Sequence, residues 1–304
     1  MRFLRTSYIQ LRRLAERSRR QAALQKLAAS GKAPLYSVFY HRVSDHHRNQ
    51  WTISCGDFQD HVDYIRRRLP CIDLAELQRR SIQRDSHQPA IAFTFDDGYA
   101  ENCQFALPLL LKHRIPCTYF VSLQHVLTGQ SFPHDIQCQI PLPVNTIDEL
   151  KSLAAEGIEI GLHARHHVDL SGVTDPRVLE SEIVAAAREL SSLLKTKVRY
   201  FAFPYGMPAQ LTPQAIAAVA EAGMQGFCSA FGAYNIPGRD TFHIRRFHGD
   251  AGLVRLRNWL DFDLRKLKSE PLISYRLPTE NAAAACLPLP DSTSLPSVQP
   301  QFPA

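Results

Sequence analysis

From Pro34 to about residue 268 the chain alternates short runs rich in β-branched and aromatic residues with stretches of helical periodicity. No other feature constrains its fold as tightly. Parallel neighbours need long crossovers, so such alternation specifies βα units and a mostly parallel sheet covered by helices. Residues 35–40, 90–95, 117–121, 158–162, 200–203, 225–230 and 242–247 read as strands. Asp175-Pro176 supplies an N-cap and a first-turn proline, after which Leu179, Ile183, Val184, Ala187, Leu190 and Leu194 recur at helical spacing. Thr212-Pro213 opens another helix in the same way and Gly223 closes it. A third is predicted around Phe58, Val62 and Ile65. A segment of this size suits a single α/β barrel or a doubly wound sheet.

The flanks differ in kind. Positions 1–34 carry nine arginines and lysines against Glu16 alone, so the net charge of +6 is +8 there and −2 over the rest. The basic balance therefore reports an arm, residues 1–33, and gives no reason to expect a nucleic-acid partner for the main domain. Leu4, Tyr8 and Leu11 fall at helical spacing in that arm, so a basic amphipathic helix on anionic lipid is one expectation and a flexible solvated arm the other. From Pro278 onward come six of the 20 prolines with serine, threonine and a run of four alanines. Residues 269–304 are accordingly expected as a disordered tail, leaving 34–268 as the domain. No run approaches the roughly 18 apolar residues of a membrane span, and no apolar stretch follows the first arginines as in a secretory signal. The expected location is cytoplasmic, with peripheral contact at the inner membrane face. Seven cysteines without a CxxC fit free thiols in a reducing compartment.

Three strand ends carry the chemistry. Residues 91–95 lead into Asp96-Asp97-Gly98, where two adjacent carboxylates can work together only if the strand gives way to a turn. Ile158, Ile160 and Leu162 alternate as a half-buried strand and run into His163-Ala164-Arg165-His166-His167. His163 and His167, four apart after a strand, can converge on one metal, with Asp97 the obvious carboxylate donor. His166 has no assigned role. The third run, Tyr200-Phe201-Ala202-Phe203-Pro204-Tyr205-Gly206, is an aromatic strand ending in a turn. In parallel α/β folds such C-terminal strand ends build the active site.

In that order and spacing, Thr94-Phe95-Asp96-Asp97-Gly98, His163 to His167 and Phe201-Ala202-Phe203-Pro204-Tyr205-Gly206 resemble the first three motifs of the polysaccharide deacetylases, the NodB-homology or carbohydrate esterase family four enzymes. Residues 37–43, Phe58 and 71–74 resemble the family's lead-in, so the likeness spans about residues 35–250. It implies a distorted (β/α) barrel of about seven parallel strands and a hydrolase removing N-acetyl groups from an amino sugar. It further implies Asp96 as general base and Asp97, His163 and His167 as ligands of a divalent ion, zinc first, with cobalt, nickel or iron as alternatives. Tyr205 would offer its backbone N–H to the oxyanion, with Pro204, Tyr205 and His41 against the substrate.

Three positions depart from the family pattern. Ala202 stands where many relatives have an arginine that pairs with the base; Arg246, or its neighbour Arg245, is the expected substitute. The late leucine-x-histidine motif is missing, which leaves His248 and His41 as candidates for protonating the leaving amine. Ala164 replaces a common serine or threonine. The implied partner is an N-acetylated glycan or its lipid- or nucleotide-linked precursor. Two other readings stay open: hydrolysis of another non-peptide amide on the same fold, and a weakly catalytic domain that binds glycans.

Overall fold

The computed structural model describes residues 2–277, and the side chains from position 7 onward. The alternation becomes an eight-stranded, all-parallel sheet. Its strands are β1 (Leu35–Tyr40), β4 (Ala90–Phe95), β5 (Cys117–Val121), β6 (Glu159–Leu162), β7 (Tyr200–Ala202), β8 (Gly226–Cys228), β9 (His243–Ile244) and β10 (Phe247–His248); β2 (Arg42–Val43) and β3 (Thr52–Ile53) form a separate two-stranded ribbon. The order is β10-β1-β4-β5-β6-β7-β8-β9. The two edge strands are thus consecutive in the chain, joined only by Arg245-Arg246. From Ile244 to Phe247 is three residue steps, at most about 11 Å, so the sheet must curl until its edges nearly meet. This is the expected distorted barrel, with one addition: the predicted strand 242–247 is two strands, one on each edge, and the chain crosses the open seam between them.

Alternation along each strand sorts side chains to two sides. Tyr36, Val38, Tyr40, Ile91, Phe93, Phe95, Tyr119, Val121 and Phe201 pack outward under the helices. Leu35, Ala90, Ala92, Phe120, Tyr200, Ala202, Cys228 and Ile244 form a separate cluster inside the barrel, with Leu74 and Leu77 of the helix Leu74–Gln83. The inner wall is built largely of small residues. At Gly161 an added Cβ would lie 2.4 Å from the Phe120 ring, so the interior admits nothing larger there. That narrowness leaves room for a few large inner side chains, Phe120 and Arg246 among them. The Leu74–Gln83 helix plugs the N-terminal end, where Gln78 Nε2 donates to the Thr241 carbonyl at 3.0 Å and Tyr200 Oη donates to Gln78 Oε1 at 3.0 Å. The opposite end, bearing the C-termini of the strands, stays open for a site.

The predicted helices form where their caps stand. Ser54 accepts from Asp57 N at the start of Cys55–Arg66, and Thr212 from Ala215 N at the start of Pro213–Glu221. The helix opened by Asp175-Pro176 runs to Leu194 but contains a π-helical stretch, Glu180–Ala185. The flanks are more structured than a flexible arm and tail. Residues 2–29 form α1 (Arg2–Ala15) and α2 (Arg17–Ala29), anchored by ion pairs from Arg12 and Arg20 to Asp263 at 2.9 and 3.0 Å. Residues 269–277 lie against the barrel: the Glu270 side chain, 2% exposed, pairs with Arg245 at 2.9 Å and accepts from Ala233 N at 2.8 Å. The proline-rich remainder, 278–304 with Cys286, lies outside the described residues. The other six cysteines are free thiols.

Candidate active site

Beyond β4 the chain turns so sharply that Gly98 N donates to the Asp96 carbonyl at 3.0 Å, with Asp97 between them at φ +74°. This is a γ-turn of the rare positive-φ kind. The same device ends the third motif, where Gly206 N donates to Pro204 O at 2.7 Å across Tyr205 at φ +60°. Ala164 and His167 also take left-handed backbone, at φ +59° and +56°. Four non-glycine residues in a conformation costing about 1–3 kcal/mol each cluster at neighbouring strand ends, the pattern of backbone strained to aim side chains. Asp96 and Asp97 can therefore both work: the turn, not the strand, orients the second carboxylate.

Asp97 is buried, and its Oδ1 lies 3.4 Å from Nε2 of His163 and 3.3 Å from Nε2 of His167. Among the described residues these three form the one histidine, cysteine and acidic group whose donor atoms converge, all within 4.8 Å. His163 Nδ1 sits 2.8 Å from the Ala202 carbonyl, which can only accept, so the ring proton resides there and Nε2 presents a lone pair. Asp97 Oδ1 has no aligned hydrogen bond although it is fully enclosed. An orphaned carboxylate oxygen facing two imidazole nitrogens fits a two-histidine, one-carboxylate site for a divalent cation. Burial pushes the Asp97 carboxyl upward, but the two imidazoles outweigh it and hold the group well below the usual carboxylate range. Burial likewise disfavours charged His163, and the neighbouring Asp97 and Asp96 more than reverse that, raising its pKa.

Asp96 is held differently. Arg246 reaches it from the seam, donating from Nη1 to Oδ1 at 2.7 Å and from Nη2 to Oδ2 at 2.8 Å. The guanidinium also donates to the Ser229 carbonyl at 2.8 Å and Thr94 Oγ1 at 3.1 Å, and lies over the Phe39 ring at 4.6 Å. Arg246 is fully enclosed, so the split between β9 and β10 has a physical reason: the backbone leaves the ladder where this side chain must enter the barrel. Arg245 turns to Glu270 instead. Burial raises the Asp96 carboxyl and Arg246 lowers it further, so the net shift is downward and Asp96 is ionised at neutral pH.

The remaining candidates line one side of the mouth. His41 and His248 are ring neighbours, with centroids 5.6 Å apart and Trp51 beside both. His248 Nδ1 is 3.1 Å from Asp250 Oδ1, and Asp250 is paired in turn with Arg255 at 2.8 Å. Burial drives the His41 pKa down to about 4, so this ring is neutral at pH 7. Tyr205 is 57% exposed, its ring 5.4 Å from that of His167. Pro204 is buried behind it.

Two supports escaped sequence reasoning. Glu182, in the π-helical stretch and only 5% exposed, accepts from His166 N at 2.9 Å and lies 2.6 Å from His166 Nδ1, while its backbone carbonyl accepts from Arg165 N at 3.0 Å. It pins the histidine loop where Ala164 offers no hydroxyl, and it gives His166 a partner. A buried glutamate on an apolar helix face was the only sequence signal. Phe132, in a separate small cluster with Tyr99, Leu142 and Val144, packs 5.3 Å from the His167 ring and walls the other side.

The site thus joins a two-histidine, one-aspartate cluster at the strand ends of a curled parallel α/β barrel to a second aspartate clamped by an arginine. Residues 83–227 match the family model for polysaccharide deacetylases. That match spans just under half of the chain. It is 28% identical over 148 residues to the chitooligosaccharide deacetylase of a Bradyrhizobium species, spanning 48% of this chain and 58% of that one. It is 28% identical over 119 residues to YxkH of Bacillus subtilis, spanning 39% and 38% respectively. This chain thus matches well under two thirds of the length of these relatives. The fold is shared with IcaB from Ammonifex degensii at a TM-score of 0.65, with 23% identity over 75% of this chain and 97% of that one.

Proposed function

We propose that the protein is a divalent-metal-dependent deacetylase that hydrolyses the N-acetyl group of an amino sugar in a glycan. The observation that carries this reading is the pairing of an ionised, arginine-clamped Asp96 with the orphaned Asp97 oxygen and its two imidazoles at one end of the barrel. Asp97, His163 and His167 would hold the ion, and zinc suits the donor set, with cobalt, nickel or iron as substitutes. When bound, the ion polarises the acetyl carbonyl and lowers the pKa of the attacking water.

The chain's own residues supply the rest. Asp96 accepts a proton from that water as its oxygen attacks the acetyl carbon, and Arg246 holds the carboxylate in place and ionised. Tyr205, at its positive-φ turn, would offer its backbone N–H to the negative charge that gathers on the carbonyl oxygen. As the carbon–nitrogen bond breaks, the sugar nitrogen needs a proton. His248 would give it from its imidazolium form, with Nδ1–H held by Asp250 and Nε2–H as the proton transferred. His41, held neutral beside it, shapes the substrate side of the mouth. The products are acetate and a free amine. The chitooligosaccharide deacetylase relative supports an N-acetylglucosamine oligomer as the first substrate to try.

The test is acetate release from N-acetylglucosamine oligomers by wild type, Asp96→Asn and His163→Ala, with elemental analysis of each preparation. We expect metal and activity in wild type, metal without activity in Asp96→Asn, and neither in His163→Ala. A metal-loaded, folded wild type that releases no acetate from any N-acetylated glycan would refute the proposal.

A further inference from the structure

An amphipathic helix on a protein surface ordinarily turns its apolar side inward. α1 does the reverse. At 100° per residue Tyr8, Leu11 and Leu14 fall within an arc of about 120°, and all three face solvent, 63%, 68% and 59% exposed. The flank and far side of the helix dock on the domain through charge. Arg12 donates to Asp263 at 2.9 Å, Arg13 to Asp261 at 3.1 Å, and just past the helix Arg20 to Asp263 at 3.0 Å. The base of this latch is rooted in the core: Asp263 N donates to Tyr234 Oη at 2.9 Å, and Tyr36 Oη donates to the Leu260 carbonyl at 2.8 Å. Three large apolar side chains are thereby held outward by a set of ion pairs that could as readily have held a polar face outward.

The surroundings say what such a face meets. Arg17 and Arg19 are exposed beside it, and Glu16, the one acidic residue of the first 34, is consumed by Arg20 and Arg265. The three side chains expose on the order of 350 Å², short of the roughly 800 Å² per partner of a stable protein interface but ample for a helix lying in a lipid headgroup layer. α1 also borders a groove that reaches His248. Ile9, from its docked side, lines a groove of about 680 Å³ together with Trp51, His248, Asp250 and Arg255.

We infer that α1 is an interfacial helix that seats the protein on an anionic lipid surface through Tyr8, Leu11 and Leu14, with Arg17 and Arg19 at the headgroups. The groove beside it then opens next to the membrane plane, which places glycan attached to or lying on that membrane within reach of His248. What the groove holds rests on the deacetylase reading; the lipid contact does not, and is read separately.

The experiment is sedimentation of the full chain with vesicles of phosphatidylcholine alone or mixed with phosphatidylglycerol. Wild type is expected to bind the anionic vesicles. Leu11→Asp with Leu14→Asp should lose binding at least tenfold. Arg17→Gln with Arg19→Gln should lose about thirtyfold, at about fivefold per surface arginine. All of these residues are exposed, so thermal melts and acetate release from a soluble oligomer should match wild type. Equal binding to neutral vesicles, no binding to either, or leucine variants that pellet like wild type would overturn the inference. So would a concentration-dependent dimer abolished by Leu11→Asp without vesicle binding, which would assign the face to a second copy of this chain.

Discussion

Replacing Arg246 with methionine tests the clamp on Asp96 most directly. The change keeps most of the side-chain volume between Phe39 and Phe120 but removes both charge-assisted bonds to a carboxylate that is 2% exposed. Stripping one partner from a buried ion pair costs about 3–5 kcal/mol, because the remaining charge is left unpaired. In a domain of this size that lowers the melting temperature by roughly 6–20 °C at pH 7. The sign with pH follows from the shift. In wild type the Asp96 pKa is depressed, so its contribution to stability is complete above the unfolded carboxylate pKa and is lost as pH falls through the folded value. Without Arg246 burial raises that pKa, so the variant's deficit is largest at neutral pH and shrinks as the solution is acidified through about pH 4. The assay is thermal unfolding from pH 3 to 8, together with the pH profile of kcat/KM. Its acid limb should move upward in Arg246→Met as the base protonates more readily. Adding Asp96→Asn should recover much of the stability and none of the activity. A variant within about 0.5 kcal/mol of wild type at pH 7, with an unmoved acid limb, would refute the clamp.

Glu182→Gln should leave the barrel folded yet weaken metal binding about 10–100-fold, the usual cost of losing a group that holds a ligand loop; titration with zinc and a competing chelator measures it. Tyr205→Gly, which keeps the N–H and tolerates φ +60°, should retain most of kcat, whereas Tyr205→Pro, with no N–H, should lose about 10²–10³-fold in acetate release. His248→Ala should lower kcat by about 10²–10⁴-fold with little change in metal content, and an equal loss in His41→Ala would reassign the proton donor. Dialysis against a strong chelator should abolish acetate release, and re-addition of zinc should restore it.

Much of the site was legible because it sits at the ends of strands whose alternation is clear in one dimension. Asp96-Asp97, His163 with His167, and Pro204-Tyr205 all lie where a β-rich run meets a turn residue, and the structure brings all of them to one end of the barrel. Arg246 could be shortlisted as a replacement for the base's usual partner, yet nothing local separated it from Arg245. The two differ by which side of a two-residue seam each side chain leaves, and that depends on how far the sheet curls. The single predicted strand at 242–247 failed for the same reason: its apolar run is continuous, but its halves pair with β8 on one edge and β1 on the other. Glu182 was illegible because its partner, His166, is sixteen residues away and is met only through a π-helical stretch that periodicity does not announce.

Period, local turns and residue type were enough to specify the parallel α/β class, the strand ends that carry chemistry and the identity of the three converging donors. Long-range packing selects which arginine enters the barrel, which glutamate replaces the hydroxyl missing at Ala164, and which face of α1 meets water. Each of those is a choice among chemically equivalent groups. It is made by where distant segments pack, because buried charges must find partners and the curl of the sheet decides which ones they can reach.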